Sequence, residues 1–414
     1  MRLQLIAARV LFVLGCLLAS PVDAQDPGTT RAQPAPTAAA SEPTLQVSAT
    51  APESEPPPAG EKAPPPPAEP RESGPRPVTA TVDARTGVYQ DSDHTTISTS
   101  TIAARALIKD RVEITGRYLI DVVSSASVDV VTAATAAFRE NRHEATGGVG
   151  YRDGTNSASA GYVFSRENDW QSHTIELGGS RDILQHNLTI GFGASLIFND
   201  IWRSGDNNFK RSLNVYGGSL SLAGTPSRRD VVSLTYSLSY LSGYQASPYR
   251  YVLFNDEQGF RQAVPENAPG TRQRHAVAVR WKRHVFRNSA VHTHLRGYFD
   301  DWQVASFTFG GEYLIGVGDF VISPHLRGYA QKHAGFYQAQ YTQLLNFMTF
   351  DRELSSFIDG FAGVRAAWLR PHLGPLDELR VELKVDGFGF YFFDFPRLQS
   401  RYGLIAELAL GVSL

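Results

Sequence analysis

The sequence predicts an all-β fold: a transmembrane antiparallel β-barrel of about sixteen strands, preceded by a Pro-rich disordered segment. Three observations predict it. First, Tyr402, Leu404, Ala406, Leu408, Leu410, Val412 and Leu414 are apolar at every second position, while Gly403, Glu407, Gly411 and Ser413 lie on the other face. This period-2 strand has one greasy side that a bilayer would cover. Second, the same alternation recurs along residues 78–414 in segments of about ten residues, and no stretch reaches the ~18 apolar residues of a membrane helix. Third, short and long connections between these segments alternate. A barrel with short periplasmic turns and longer extracellular loops requires that, and a soluble sandwich does not.

Residues 1–24 begin with Arg2 and Arg9, run apolar over 10–18 and end in Val22-Asp23-Ala24. This reads as a secretory signal peptide, too short to span as a helix. The single cysteine, Cys16, lies inside it, where Val13-Leu14-Gly15-Cys16 loosely resembles a lipoprotein signal. The apolar run continues through Leu17 and Leu18, which favours ordinary cleavage near Ala24. The mature chain then offers no disulfide, thiol nucleophile or thiolate metal site.

Residues 25–77 hold 15 of the 24 prolines and no aromatic residue. They cannot bury enough apolar surface to offset their ordering entropy, so they read as a disordered, semi-rigid periplasmic spacer. Contact with a periplasmic partner is a second reading of the spacer, without a motif behind it.

From residue 78 onward Gly, Ser, Thr, Tyr, Phe and Val dominate. Ile114, Tyr118 and Ile120 alternate with Glu113, Thr115, Arg117 and Asp121; Leu234, Tyr236 and Leu238 alternate with Ser233, Thr235, Ser237 and Ser239. Strands are expected to start near Val78, Thr95, Val112, His143, Ser157, Gln171, Asn187, Ser212, Asp230, Arg274, Ala290, Gln303, Phe320, Ser356, Glu378 and Arg401. An even count puts both ends on the periplasmic side, and fourteen or eighteen strands also fit. Short turns are expected at 109–111, 152–156, 182–186, 224–229, 284–289, 315–319 and 370–377, and long connections at 123–142, 199–211, 244–273 and 331–355. Trp170, Trp202 and Trp302 fall at extracellular strand ends, and Trp281 and Trp368 at periplasmic ends, where an indole suits an aromatic girdle.

The blocks at 99–135 (TSTIAARALIKDRVEITGRYLIDVVSSASVDVVTAAT) and 144–182 (EATGGVGYRDGTNSASAGYVFSRENDWQSHTIELGGSRD) resemble an uncharacterised family of Gram-negative outer-membrane proteins known only as a domain of unknown function. The likeness is clearest over 86–206 and fainter towards the C-terminus. It implies a barrel in the outer membrane, and no substrate or catalytic residue.

The parity divides the predicted lumen into two walls. Strands over 143–241 turn in small residues such as Gly148, Gly161, Ser195, Ser219 and Ser237, with Glu144 and Glu176 the main charges. Later strands turn in Arg280, Lys282, His292, His294, Arg296, His325, Arg327, Arg365, Arg380 and Lys384, beside the acids Glu312, Asp359, Glu382, Asp386 and Glu407. On a lipid face each charge would cost a few kcal/mol at mid-membrane, so these must face water or one another. A water-filled pore with a transverse field and a plugged lumen laced with salt bridges both accommodate them.

Asp91 and Asp93 at the first extracellular turn, beside His94, could hold a cation through oxygens at i and i+2 or activate water. A polar hairpin turn beside lipopolysaccharide is the favoured reading. His292 and His294 share a strand face, as a metal pair or as polar lining. There is no phosphate-binding glycine loop, nucleophile elbow or zinc-protease motif, and no cofactor is expected. The formal charge of -2, from 39 basic and 41 acidic residues, gives no reason to expect nucleic acid. The expected partners are outer-membrane lipid and lipopolysaccharide, and the barrel-assembly machinery through the C-terminal strand. Three functions fit: a porin-like channel for small or anionic solutes, a gate or scaffold of a secretion or polysaccharide-export system, and a rim hydrolase.

Overall fold

Val, Ile, Thr, Tyr and Phe at alternate positions favour extended backbone with two unlike faces, and the chain folds accordingly. The computed structural model describes residues 78–125, 138–255, 258–374 and 376–414. The segments expected as signal peptide (1–24, with Cys16) and spacer (25–77) lie outside the described residues. The strands are β1 (Val78–Asp91), β2 (Thr95–Ile108), β3 (Val112–Ser125), β4 (Phe138–Arg152), β5 (Asn156–Arg166), β6 (Trp170–Ile183), β7 (Leu188–Arg203), β8 (Asp206–Ser227), β9 (Asp230–Gly243), β10 (Tyr251–Asn255), β11 (Arg261–Pro265), β12 (Thr271–Phe286), β13 (Ser289–Asp300), β14 (Ala305–Val317), β15 (Phe320–Lys332), β16 (Phe357–Leu373), β17 (Leu376–Phe392) and β18 (Ser400–Ser413).

Sixteen of these close into one barrel, β1 to β9 followed by β12 to β18, each antiparallel to its neighbours. β18 pairs with β1 from Thr81↔Ser413 to Asp91↔Gly403, so the greasy C-terminal strand is the closing seam. Ala80 and Leu414 exchange backbone hydrogen bonds of 3.1 and 2.8 Å at its end. Closure removes the sheet edges that would otherwise invite further pairing.

The two strand faces differ as the alternation requires. Phe192, Leu220 and Leu404 are 58%, 63% and 61% exposed, a level tolerable only against lipid, and they belong to the apolar set of their strands. The opposite set carries the charges. Ion pairs between strands two apart, such as Arg365 to Glu312 and Arg380 to Asp83, lie on that concave face. Both ends of the barrel sequence, Val78 and Leu414, emerge at the end with the short turns. There Lys109 (φ 50°) and Asp110 (φ 55°) adopt the paired left-handed conformation of a tight hairpin turn.

Four features depart from expectation. The sixteen barrel strands run from 11 to 22 residues, longer than the ~10 that cross the apolar band, so several project beyond the membrane. The long loop expected at 199–211 is instead a projecting β7–β8 hairpin. Its turn, at 204–205, needs the positive φ of Gly205, 81°. β4 begins at Phe138, ahead of the expected His143, by pairing Arg142↔Asp121 and Asn141↔Val122. Finally, the long connection after β9 contains a hairpin of its own, β10–β11, outside the barrel.

Candidate functional site

Because cross-strand partners share a face, the register maps the inner wall strand by strand. From β5 to β9 it reads Gly161↔Glu176↔Ser195↔Gly217↔Ser239, with Gly178↔Gly193↔Ser219↔Ser237 beside it. Side chains this small leave the wall close to bare backbone. At β12 the character changes: Ser239 faces Arg274, Ser233 faces Arg280, and Arg280 and Lys282 face His294 and His292.

From β13 onward the charges join in ribbons. Glu312 accepts from His292 at 3.3 Å and from Arg365. Asp386 takes His325 at 2.5 Å and Lys384 at 2.8 Å, and Lys384 stands 3.8 Å from Glu407. Arg85 joins Glu407 at 3.2 Å and Glu382 at 3.9 Å, and Arg380 reaches Asp83 at 3.4 Å. Arg327 donates to Asp359 at 3.1 Å. On the other side Glu144 is held by Arg117 and Arg142, both at 2.5 Å. Arg296 lies over the Tyr298 ring at 5.5 Å.

An aromatic rung crosses the wall nearer the extracellular end. Tyr89 on β1 stacks on Phe388 of β17 at 5.2 Å, Phe388 stacks on Phe361 of β16 at 5.3 Å, and Arg327 covers Phe361 at 5.1 Å. The rung bridges β18 because Gly403 stands where a side chain would block it. A Cβ there would meet Phe388 Cζ at 2.6 Å.

The extracellular mouth is covered by two loops, 244–270 and 333–356, knitted together by buried polar groups. Glu266 accepts from Arg250 at 3.1 Å and from the Thr349 hydroxyl, and Arg250 also reaches Asp351 at 3.2 Å. Burial pushes the Glu266 carboxyl above its ordinary range, against the pull of Arg250. Burial does the same to Glu353, which pairs with Arg401 at 3.4 Å. Val252, Tyr341 and Met348 form the core between the loops. A second core of Trp302, Val304, Ala334, Tyr337, Phe357, Phe392 and Phe395 fixes the 333–356 loop onto the inner wall. Arg203 and Tyr249 join the cap to the β7–β8 hairpin, and Arg352 joins it to the first turn.

This packing corrects two expectations. Asp91 and Asp93 form no open cation site. Asp91 accepts from the Asp93 and Thr95 amides and the Tyr89 hydroxyl, at 3.0, 2.9 and 2.7 Å, and Asp93 is buried against Arg352 at 2.8 Å. Both carboxylates are engaged in holding the turn and the cap. The five tryptophans do not form one girdle. Trp302 is 5% exposed, inside the mouth core, donating to the Thr271 carbonyl at 2.9 Å. Trp170 shares the inward face with Asn199, to which its Nε1 donates at 3.0 Å. Trp202, Trp281 and Trp368 lie on the outward face. Strand parity decides this, and position along the strand alone does not reveal it. Among the described residues, no group of three or more His, Cys, Asp or Glu side chains is placed to hold a metal ion.

Residues 132–359 match the family model described as "Protein of unknown function (DUF3570)", over more than half of the 414-residue chain. The chain belongs to the DUF3570 family. No curated protein matches it. Among solved structures, this DUF3570 barrel is similar to a bacterial polysaccharide outer membrane secretin (9% identity, 81% of this chain and 98% of that one, TM-score 0.44). It is also similar to OpdK from Pseudomonas aeruginosa (8% identity, 81% and 98%, TM-score 0.41). A third is OprD from Pseudomonas aeruginosa (7% identity, 81% and 95%, TM-score 0.40). These likenesses concern barrel architecture, and no ligand or partner follows from them.

Proposed function

We propose that this DUF3570 protein is an outer-membrane channel that passes small anionic solutes by diffusion. The observation that carries the proposal is the unevenness of the inner wall. Sixteen strands enclose more room than side chains fill, and the Gly and Ser sector from β5 to β9 adds almost none, so water fills the interior beside it. Directly beside it, Arg280, Lys282, His292, His294 and Arg296 on β12 and β13 face the same interior, giving an uneven field that favours anions. The cap of loops 244–270 and 333–356 narrows the approach from outside. Residues 1–24 act as the signal peptide, residues 25–77 as a periplasmic spacer, and the C-terminal strand as the assembly signal.

The test is single-channel conductance and reversal potential of the refolded protein in a planar bilayer. Steady steps with anion preference are expected, and replacing both Arg296 and Arg327 by Glu should shift the preference towards cations. Unchanged selectivity would sink the basic-wall assignment, and an inserted but silent barrel would sink the channel. Deleting residues 25–77 should leave conduction intact.

A further inference from the structure

Three cross-strand pairs on the outward face repeat one geometry near the extracellular starts of β4, β6 and β12. The Tyr118, Tyr162 and Tyr236 hydroxyls lie 2.9, 2.6 and 2.8 Å from Nδ1 of His143, His173 and His275. Tyr118 and Tyr162 are 42% and 46% exposed among lipid-facing neighbours, so these pairs sit on the outer surface, not in the lumen. A tyrosine hydroxyl that donates to Nδ1 leaves the neutral imidazole with its proton on Nε2, aimed away from the tyrosine.

Two of the pairs flank a cation. The register places His143, Arg166 and Gln171 in one row across β4, β5 and β6, His143↔Arg166 and Arg166↔Gln171. Gln171 is braced from below, its Nε2 donating to His173 Nε2 at 2.9 Å, so His173, unlike His143, carries its proton on Nδ1 and donates it to the Tyr162 oxygen. Arg166 is exposed on the outward face and has no hydrogen-bond or ion-pair partner among the described residues. The row continues to Asp200 on β7, whose backbone lies two strands, about 10 Å, from that of Arg166. The third pair shows the alternative arrangement: the positions next to His275 on the two adjacent strands are the apolar Leu238 and Phe299, and the His275 ring is closed off by Phe299 stacked at 4.8 Å.

An exposed guanidinium on the lipid face is costly at mid-membrane but is stabilised where lipid phosphates lie, at the interface. At the extracellular end of an outer-membrane barrel, the phosphates of the outer-leaflet glycolipid occupy that level. We propose that Arg166, His143 and Gln171 form a phosphate-binding site for an outer-leaflet lipid. Arg166 supplies a planar fork of donors, His143 one fixed N–H and Gln171 an amide, while Tyr118 and Tyr162 hold the imidazoles in place. The proposal does not depend on conduction through the lumen.

The test is native mass spectrometry of the refolded full chain in detergent, with diphosphoryl lipid A, phosphatidylcholine or inorganic phosphate added. Lipid A should be retained about tenfold better than phosphatidylcholine. The double variant Arg166→Gln, His143→Gln should lose about fivefold to tenfold of that retention. Arg166→Lys should keep part of it, and Arg229→Gln, at a turn on the opposite end, all of it. Heat-modifiable gel mobility verifies that each variant is folded. Equal retention of lipid A by wild type and the double variant overturns the site. Full displacement by millimolar inorganic phosphate overturns the lipid as its ligand.

Discussion

Arg352 and Asp93 meet at 2.8 Å across 259 residues of sequence, and their contact pins the 333–356 loop to the first extracellular turn. Their side chains are only 15% and 5% exposed, and Arg352 also lies over the Phe392 ring at 4.8 Å. Removing one partner of such a pair leaves a buried charge uncompensated, at a cost of about 3 kcal/mol or more. Asp93→Asn should therefore free the cap while the barrel stays folded. Limited proteolysis should cut the 333–356 loop at least tenfold faster, and single-channel conductance should rise. A variant cut at the wild-type rate would show that the aromatic core, not the ion pair, holds the loop.

The extracellular turn between β5 and β6 carries its own pH sensitivity. Burial, opposed by Arg142 and reinforced by Asp169 and Asp121, pushes the Glu167 carboxyl up to about 7. A carboxyl raised on folding stabilises the folded form when protonated. Its contribution is fully present below the unfolded value of about 4.5 and is lost as pH rises through about 7. Apparent stability, followed by heat-modifiable mobility, should fall over that interval by on the order of 3 kcal/mol, and Glu167→Gln should flatten the change. Glu266 and Glu353, raised in the same direction, should make the cap more resistant to proteolysis at acid pH than at neutral pH.

Much of the barrel was legible because period-2 alternation is a property of each strand alone. Val112, Asp230 and Phe320 begin strands where the pattern places them, and the sixteen-strand closure follows from the same alternation. The cap was not legible. Arg352 with Asp93, or Glu266 with Thr349, pair across loops whose course depends on tertiary packing, and no local spacing encodes it. Trp302 shows the limit most plainly: an Asp300-Asp301-Trp302 turn looks like an interfacial anchor, yet the indole turns inward and packs under Arg272 at 4.2 Å. The Tyr and His pairs were hidden for a related reason, since register decides which tyrosine meets which histidine. A diagonal aromatic and histidine pattern at successive strand ends is the signal that would have found them.

The aromatic rung predicts a sharp contrast between two glycines. A Cβ at Gly403 would lie 2.1 Å from the Gln90 carbonyl oxygen and 2.6 Å from Phe388 Cζ, so Gly403→Ala must displace the β1–β18 seam as well as the ring. Gly389, on the neighbouring strand, has nothing within 4 Å of the same position. Gly403→Ala should lower stability by about 2 kcal/mol or prevent closure altogether, by overpacking. Gly389→Ala should be close to neutral. Comparable unfolding temperatures for the two variants would mean that the rung contributes little to the seam.

The bare sector of the wall gives the most direct test of an open interior. Ser237 faces inward on β9, paired with Ser219 on one side and Ala276 on the other. Gly218 on β8 belongs to the outward set, with nothing within 4 Å of its Cβ position. An indole added at Ser237 occupies lumen water, whereas one added at Gly218 enters lipid. Ser237→Trp should reduce single-channel conductance by about a third or more, because pore current follows the free cross-section. Gly218→Trp should leave it unchanged. If both variants conduct like the wild type, the permeating path lies elsewhere than beside the β5–β9 wall, and the small residues there serve strand packing alone.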